Sequence, residues 1–173
     1  MNIITIYLIT AVLSLVPISE LRGGIPYAIA NGIPWYWAYL AAVICNILVA
    51  PLCWVFIATL HKLLYGKTPD KGIRLYKKFF DRFIIKARKK LSASLEKWGW
   101  IGIALFVAIP LPVTGAWTGT IGSWVLGVSR KRTLLSVSIG VIIAGIIVTA
   151  VTVLGITTLN IFIRGEPDYL IFH

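Results

Sequence analysis

The stretch "PISELRGGIPYAIANGIP", residues 17–34, places two charged residues, three prolines and three glycines within an otherwise apolar part of the chain. It directly follows fourteen apolar or hydroxyl-bearing residues, Ile3 to Val16. Those residues would form about 21 Å of helix at about 1.5 Å each, whereas the hydrocarbon core of a membrane is about 30 Å thick. We therefore predict that residues 1–34 form a re-entrant hairpin, which enters the membrane and turns back at this stretch.

The composition assigns the chain to the membrane. Of its 173 residues 58% are hydrophobic and 13% charged, and the mean hydropathy is +0.88, far too apolar for a soluble domain. The formal net charge of +11 comes from basic residues that flank apolar segments, where anionic lipid head groups attract them. We predict one multi-pass membrane domain over residues 1–173 that contacts membrane lipids and binds no nucleic acid.

Two segments are long enough to cross the membrane, and another is not. Residues 35–60 and 133–159 each exceed the roughly 20 apolar residues that a transmembrane helix needs. The apolar run that begins at Trp98 ends after twelve residues at Pro110, so residues 98–129 predict a second re-entrant hairpin.

The basic residues indicate how these segments are oriented. Residues 62–97 carry twelve lysines and arginines, and their apolar positions recur at three- and four-residue steps, as in an amphipathic helix on the membrane surface. If residues 98–129 turn back, this linker and the basic cluster at residues 130–132 both face the cytoplasm, as the positive-inside bias favours. Both termini, including the tail at residues 160–173, are then extracytoplasmic.

The fold class that follows is an all-α integral membrane protein with an inverted repeat. Each unit is a re-entrant helical hairpin followed by a transmembrane helix, and Pro17 and Pro110 mark equivalent positions 93 residues apart. Interrupted helices at corresponding positions of two inverted units are typical of secondary transporters, which bind substrate near the membrane midplane between the units.

The hairpin tips contain the candidate substrate-binding residues. A charged side chain at membrane depth costs about 2.5–3.5 kcal/mol on insertion scales, so Glu20 and Arg22 need a partner, water or a function. Glu20 is also the candidate site for a coupling ion. Two alternatives remain: a purely structural ion pair or a shallow, solvated bend in the first tip, and simple helix packing through Gly115 and Gly119 in the second. The candidate residues are Glu20, Arg22, Gly23 and Gly24 in the first tip, and Pro110, Pro112, Thr114, Gly115, Trp117 and Thr118 in the second.

The sequence contains none of the motifs that support common enzyme chemistry. It has no P-loop, no paired carboxylates, no Ser/His/Asp set and no HExxH run. Cys45 and Cys53 lie in an apolar run without a histidine or acid at metal-ligand spacing, so we interpret them as packing residues. We predict that the protein is not an enzyme and uses no cofactor, metal ion or catalytic residue.

Both tips resemble a known family. Through "SELRGGIP" (residues 19–26) and "PLPVTGAWTG" (residues 110–119) the chain resembles the prokaryotic small multidrug export protein family, which is in turn similar to the DedA superfamily. That resemblance implies two opposed re-entrant hairpins in the plasma membrane, lipid transport of carriers such as polyprenyl phosphates, and proton or sodium dependence. Glu20 matches the acidic position of the DedA first hairpin.

These observations give three functional hypotheses. The first is a DedA-like transporter that translocates a lipid-linked phosphate such as polyprenyl phosphate, coupled to protons or sodium. The second is a proton-coupled exporter of small hydrophobic cations, in which Glu20 binds the cation and Arg22 promotes its release. The third is a lipid-organising or assembly protein that does not transport. Because each tip needs shielding from lipid, we also predict a homodimer or another partner.

Overall fold

A computed structural model of the protein describes residues 2–66, 99–111 and 114–164, and these residues form helices without any strand. The helices are α1 (Ile3–Leu15), α2 (Glu20–Ala30), α3 (Trp35–Gly66), α4 (Gly99–Ala108), α5 (Ala116–Val125) and α6 (Arg130–Arg164). The all-α prediction is confirmed for this part of the chain. The predicted amphipathic linker from residue 67 onward and the tail from residue 165 lie outside the described residues.

Two helices are long and apolar enough to cross a membrane, through their segments Trp35–Thr59 and Arg130–Leu159. Helix α3 continues six residues past the predicted end of its span at residue 60, and α6 begins three residues before the predicted start at residue 133. Helices α1 and α4 are apolar but span only 13 and 10 residues. At about 1.5 Å per residue neither could cross a hydrocarbon core of about 30 Å.

The first tip is shorter than the sequence suggests, because most of the quoted stretch is helical. The non-helical turn covers only residues 16–19, and α2 then includes Gly23, Gly24 and Pro26. Glycine is tolerated here since α2 packs closely on α1: a side chain at Gly24 would overlap the Ser14 hydroxyl. Pro26 has no N–H to donate to the carbonyl of Arg22, four residues earlier, so one backbone acceptor next to the tip is released.

Helices α2 and α5 end in the same way. After α2, Gly32 has φ 85° and its N–H donates to the Ile29 carbonyl at 3.0 Å. After α5, Gly127 has φ 77° and its N–H donates to the Trp124 carbonyl at 3.0 Å. In both cases the N–H of the next residue donates to the carbonyl five residues before it, that of Ala28 or Ser123, which completes the glycine-terminated helix end known as the Schellman motif. A long helix starts three residues after each glycine.

The packing of the helices also repeats. Within each unit the two short helices contact one another and the long helix, and the long helices α3 and α6 contact each other. Between units, α2 packs on α6, and α5 packs correspondingly on α3. If α1, α2 and α3 are exchanged for α4, α5 and α6, respectively, the list of contacting helix pairs stays the same.

The two long helices run antiparallel. Trp35 and Tyr39, near the start of α3, line one groove with Thr149 and Val153 of α6, whereas Asn46 lines a cavity with Val141, Ala144 and Val148. Positions further along α3 thus meet earlier positions of α6. The start of α6, with its basic cluster, consequently lies toward the end of α3 from which the basic linker leaves.

Polarity is distributed as expected for a protein surrounded by lipid. The fully buried side chains include the polar residues Thr10, Ser14, Asn46 and Thr120, while large apolar residues such as Leu52, Phe56, Leu135 and Leu154 are exposed on the long helices. A water-soluble monomer rarely exposes large contiguous apolar surfaces. The outward-facing apolar side chains of α3 and α6 instead suit the membrane interior.

Close packing of α4 on α6 gives a first prediction, at Gly140. A Cβ atom at this position would lie 2.6 Å from both the Ala104 carbonyl oxygen and Val107 Cβ, so we expect Gly140→Ala to destabilise the protein by about 1–3 kcal/mol through overpacking. Gly155→Ala in the same helix is the matched control, since no atom lies within 4 Å of its added Cβ. Thermal unfolding in detergent, followed by labelling of the buried Cys53 thiol in a Cys45→Ala background, measures both. Equal unfolding temperatures for the two variants would contradict this packing.

Candidate functional site

The two tips meet, and Glu20 of the first tip contacts the start of α5 in the second. Glu20 Oε1 accepts a hydrogen bond from the Trp117 backbone N–H at 3.4 Å, and the Ala116 N–H also donates to the carboxylate. These N–H groups belong to the first turn of α5, where they have no partner within the helix. The helix N-terminus carries a partial positive charge, so this carboxylate is bound much as an anionic ligand would be.

Arg22 makes the second contact between the tips, with Thr114. Its guanidinium donates to the Thr114 backbone carbonyl and, at 3.2 Å, to Thr114 Oγ1. The Thr114 hydroxyl in turn lies 2.6 Å from the Ile109 carbonyl oxygen and accepts from the Leu111 N–H at 3.1 Å, which closes the turn after α4. Arg22 therefore binds the part of the second tip whose shape depends on Thr114.

A third contact joins the tips through an indole. Trp117 Nε1 donates to the Leu15 carbonyl at 2.9 Å. Leu15 is the last residue of α1, and the final carbonyl groups of a helix lack intrahelical donors. The second tip thus donates a hydrogen bond to a free carbonyl at the C-terminal end of α1, and it accepts one from Arg22 of α2.

Glu20 and Arg22 also attract each other electrostatically.

Gly115 allows this approach between the tips. A Cβ atom added to Gly115 would overlap the Glu20 carboxyl group. The backbone of Gly115 is extended, with φ 165°, which any residue can adopt, so the requirement for glycine is purely steric. A larger residue would displace Glu20 from the start of α5.

Glu20 itself has a strained backbone. Its φ of 47° lies in the left-handed region, and Glu20 is the only described residue other than glycine with positive φ. Such a conformation costs about 1–3 kcal/mol and persists where the surroundings hold it, often at functional sites. The contacts of the carboxylate with α5 supply such a restraint.

A small cavity lies behind the two tips. It encloses about 10 Å³ and is lined by Glu20, Arg22, Pro110, Gly115 and residues of both long helices. This volume is close to the minimum that holds one water molecule. Because both long helices contribute residues from near the middle of their apolar segments, the tips lie about halfway along α3 and α6.

Asn46 is a site residue that the sequence analysis missed. It is fully buried in α3 and lines the cavity, its Nδ2 donates to the Ser14 carbonyl at 3.2 Å, and its Oδ1 has no hydrogen-bond partner among the described residues. A buried polar atom without a partner costs about 1–3 kcal/mol. In the sequence, Asn46 could have been noticed as a single amide in the middle of a predicted membrane span, where polar side chains are rare.

The other predicted residues take different positions. Gly24 packs against Ser14 and Thr10 of α1, and Gly23 packs against Ser19, so neither glycine lines the cavity. Thr118 Oγ1 bonds the Gly115 carbonyl at 3.4 Å within its own tip. Pro112 lies outside the described residues. Glu20, Arg22, Pro110 and Gly115 are therefore brought together at the cavity, with Thr114 and Trp117 holding the tips against each other.

The described residues include no group of three or more histidine, cysteine, aspartate or glutamate side chains that could hold a metal ion. Cys45 and Cys53 are free thiols within α3.

Comparison with known proteins identifies the family. The family model described as "Putative small multi-drug export protein" matches residues 20–147, which include Glu20, Arg22, the whole second tip, all of α3 and the first half of α6. No curated protein and no solved structure shows significant similarity to the chain. Since the match covers well over half of the sequence, the chain belongs to this small multidrug export protein family of membrane proteins.

Proposed function

We propose that the protein is a membrane transporter that moves an amphipathic substrate, a lipid-linked phosphate, past the place where the two tips meet. The observation that carries this proposal is the reciprocal pairing of Glu20 with the start of α5 and of Arg22 with Thr114. The pairing uses a carboxylate and a guanidinium at the junction of two halves, where a moving substrate can compete for both. The family description, which names export, supports transport as the general activity.

We infer an inverted-repeat architecture for this transporter. The repeated helix contacts, the matched glycine ends of α2 and α5, and the antiparallel α3 and α6 support two equivalent units of opposite orientation. The short lengths of α1 and α4 and the position of the tips halfway along the long helices support re-entrant hairpins. In the plasma membrane of a prokaryote, the linker at residues 62–97 would be cytoplasmic and both termini extracytoplasmic.

The geometry suggests how a phosphate group would bind. The N–H groups of Ala116 and Trp117 and the guanidinium of Arg22 all donate hydrogen bonds, and an arginine fork matches the oxygens of a phosphate. The Glu20 carboxylate occupies part of this position and would repel a second anion. Protonation of Glu20 removes that repulsion, so uptake of a proton would accompany binding of the phosphate.

Movement of the substrate requires the tips to separate. In the closed arrangement Arg22 and Glu20 each bond the opposite tip, and Trp117 bonds the end of α1. A phosphate that takes over the Arg22 and α5 donors replaces these contacts and opens a passage between the hairpins. The two hairpins would then alternate in giving access to either side of the membrane, as in other inverted-repeat transporters.

The family description favours a second candidate, proton-coupled export of small hydrophobic cations. In this mechanism Glu20 binds either the cation or a proton, and Arg22 competes for the carboxylate and releases the cation. The same residues serve both candidates, but the essential charge differs: it is Arg22 for the phosphate and Glu20 for the cation. A non-transporting, lipid-organising role is the interpretation that remains if both activities are absent.

We further propose that a second copy or another partner shields the outer side of the tips. Ile18, in the turn of the first tip, is 91% exposed, and Leu111 in the second tip is 55% exposed. The irregular backbone next to them is tolerated at membrane depth only where protein or a water-filled cavity covers it. Light scattering on the purified protein, corrected for bound detergent, distinguishes a homodimer from a monomer.

A transport assay with two substitutions distinguishes the candidate substrates. We expect Arg22→Lys to slow translocation of a fluorescent short-chain polyprenyl phosphate in proteoliposomes by about tenfold, because lysine cannot reproduce the planar fork. Glu20→Gln should keep phosphate translocation but make it insensitive to a proton gradient. Arg130→Lys, an exposed arginine outside the tips, is the matched control.

The cation hypothesis predicts the opposite pattern in the same vesicles. With tetraphenylphosphonium as substrate, Glu20→Gln should abolish uptake, whereas Arg22→Lys should have the smaller effect. If the wild-type protein moves neither compound faster than protein-free vesicles, the transport proposal fails for these two substrate classes.

A further inference from the structure

The C-terminal end of α1 depends on side chains to satisfy its carbonyl groups. The last four carbonyls of a helix lack donors within that helix, and lipid supplies none. The Val12 carbonyl accepts from the Val16 N–H at 3.1 Å. The next carbonyl would need the N–H of residue 17, which is a proline. The Ser19 N–H bonds the Val16 carbonyl instead of the one at Leu15. The carbonyls of residues 13–15 therefore need donors from elsewhere.

Side chains from three parts of the protein supply these donors. The Ser19 hydroxyl, in the first tip itself, donates to the carbonyl of residue 13. Asn46 Nδ2 of α3 donates to the Ser14 carbonyl at 3.2 Å. Trp117 Nε1 of the second tip donates to the Leu15 carbonyl at 2.9 Å. The end of α1 is thus bound to its own tip, to a long helix and to the second tip.

Trp117 corresponds in position to Arg22. The two residues are 95 apart in the sequence, as are Gly32 and Gly127, which follow α2 and α5. Arg22 donates to the Thr114 carbonyl and Trp117 to a carbonyl at the end of α1, so each side chain crosses to the opposite tip. The two crossed bonds differ in charge, because a guanidinium is cationic and an indole is neutral.

Charge decides which of the two crossed bonds a phosphate would replace. A phosphate is attracted to Arg22 and to the start of α5, and hydrogen bonds to ionised groups are about twice as strong as neutral ones. The end of α1 carries a partial negative charge, which repels an anion. Protonation of Glu20 changes neither the indole nor the Leu15 carbonyl. The contact made by Trp117 is therefore insensitive to both events.

We propose that Trp117 is a positioning residue, which keeps the second tip attached to the end of α1 while Glu20 and Arg22 release their partners. Of the three contacts between the tips, two then open and the third is the pivot. The bonds from Ser19 and Asn46 hold the end of α1 in place for this purpose. This inference rests on the proposed function, in which the tips separate, and adds which contact persists.

A cysteine in the wall of the cavity reports opening of the tips without any substrate. Val141 is 1% exposed and lines the cavity, so Val141→Cys should react slowly with N-ethylmaleimide in the purified full-length protein without Cys45 and Cys53. Replacing Glu20 and Arg22 together by glutamine removes both charged contacts. We expect this change to accelerate the reaction about threefold or more, because hydrogen bonds to charged groups are lost.

The indole N–H signal of Trp117 distinguishes a pivot from complete separation. NMR with isotope-labelled tryptophan gives one such signal for each of the seven tryptophans, and Trp117→Phe identifies the relevant one. We expect it to keep its chemical shift and slow deuterium exchange in the variant without the two charges. A shifted, rapidly exchanging signal together with faster reaction at Val141→Cys would overturn the pivot but not the opening. An unchanged reaction rate would refute the opening, and with it both proposals.

Trp117→Phe tests the same contact by removing the indole donor. The Leu15 carbonyl is then left without this partner, so we expect reaction at Val141→Cys to accelerate about tenfold, within the range for an unpaired buried group. An unchanged rate would contradict the proposal.

Two controls separate local opening from general loss of stability. The buried Cys53 thiol, measured in a Cys45→Ala protein, should react at the same rate with and without Trp117→Phe. Equal acceleration at both thiols would show that the substitution destabilises the whole protein, and would overturn the positioning role. Trp100→Phe, at an exposed tryptophan of α4, should change neither rate.

Discussion

Replacing Gly115 by alanine is expected to abolish transport and to lower the stability of the protein by about 1–3 kcal/mol, the usual range for overpacking. The added Cβ would overlap the Glu20 carboxyl group, which would have to leave the N–H groups of Ala116 and Trp117. The two tips would then lose this contact, and the Cβ would also occupy the position at the start of α5 that the phosphate takes from Glu20 in the proposed mechanism. Transport in proteoliposomes and thermal unfolding followed through the Cys53 thiol measure the two effects.

A double-mutant cycle identifies Glu20 as the residue through which Gly115 acts. In a Glu20→Ala background the carboxyl group is absent, so Gly115→Ala should cause little further loss of stability, and the two substitutions should be strongly non-additive. Glu20→Ala also removes the contacts that hold the left-handed backbone at this position, but the cycle cancels this effect because both proteins of the Glu20→Ala background share it. Gly122→Ala in α5 is the matched control, since its Cβ would meet no atom within 4 Å. Additive effects would show that Gly115 does not act through the carboxylate.

Cysteines introduced one at a time should show on which side of the membrane each position lies, because each is either labelled or not labelled from outside the cell. In a background without Cys45 and Cys53, we expect a membrane-impermeant thiol reagent to label Asn31→Cys in intact cells. Ser94→Cys and Arg132→Cys should react only after the cells are opened. The physical basis is the antiparallel arrangement of α3 and α6, which puts Asn31 and the basic cluster that contains Arg132 toward opposite ends of the long helices.

The comparison between Ser94 and Arg132 decides whether residues 98–129 turn back. If this segment crossed the membrane once, the two cysteines would report opposite sides. The re-entrant hairpin and the inverted repeat would then both be wrong, and the tips would have to meet by some other route. A negative control is the cysteine-free protein, which should remain unlabelled before and after lysis.

The helical architecture could be predicted largely from segment lengths. The short apolar runs that end near Pro17 and Pro110 become the short helices α1 and α4, and the two longer runs become α3 and α6. Segment length is a reliable guide because the membrane thickness is fixed and the helix rise is constant. The helical state of residues 20–30 was harder to predict, since Gly23, Gly24 and Pro26 all weaken a helix in isolation. Close packing of α2 on α1 compensates, and such packing is visible only in three dimensions.

The site could be predicted only in part for a similar reason. Glu20 and Arg22 stand out because charge is rare in an apolar chain, but the atoms that satisfy them are mostly backbone N–H and carbonyl groups of the second tip. Backbone groups are the same in every residue, so no sequence pattern indicates which of them will be near a given side chain.

In the proposed transport cycle, the left-handed backbone at Glu20 would affect the balance between the closed and open forms. If the carboxylate leaves α5, the peptide units around Glu20 can relax to an ordinary conformation, which returns about 1–3 kcal/mol. Free energy of that size shifts a two-state equilibrium about 5- to 150-fold. A change in the contacts of this one carboxyl group would therefore shift the equilibrium between the closed and the open form of the whole protein.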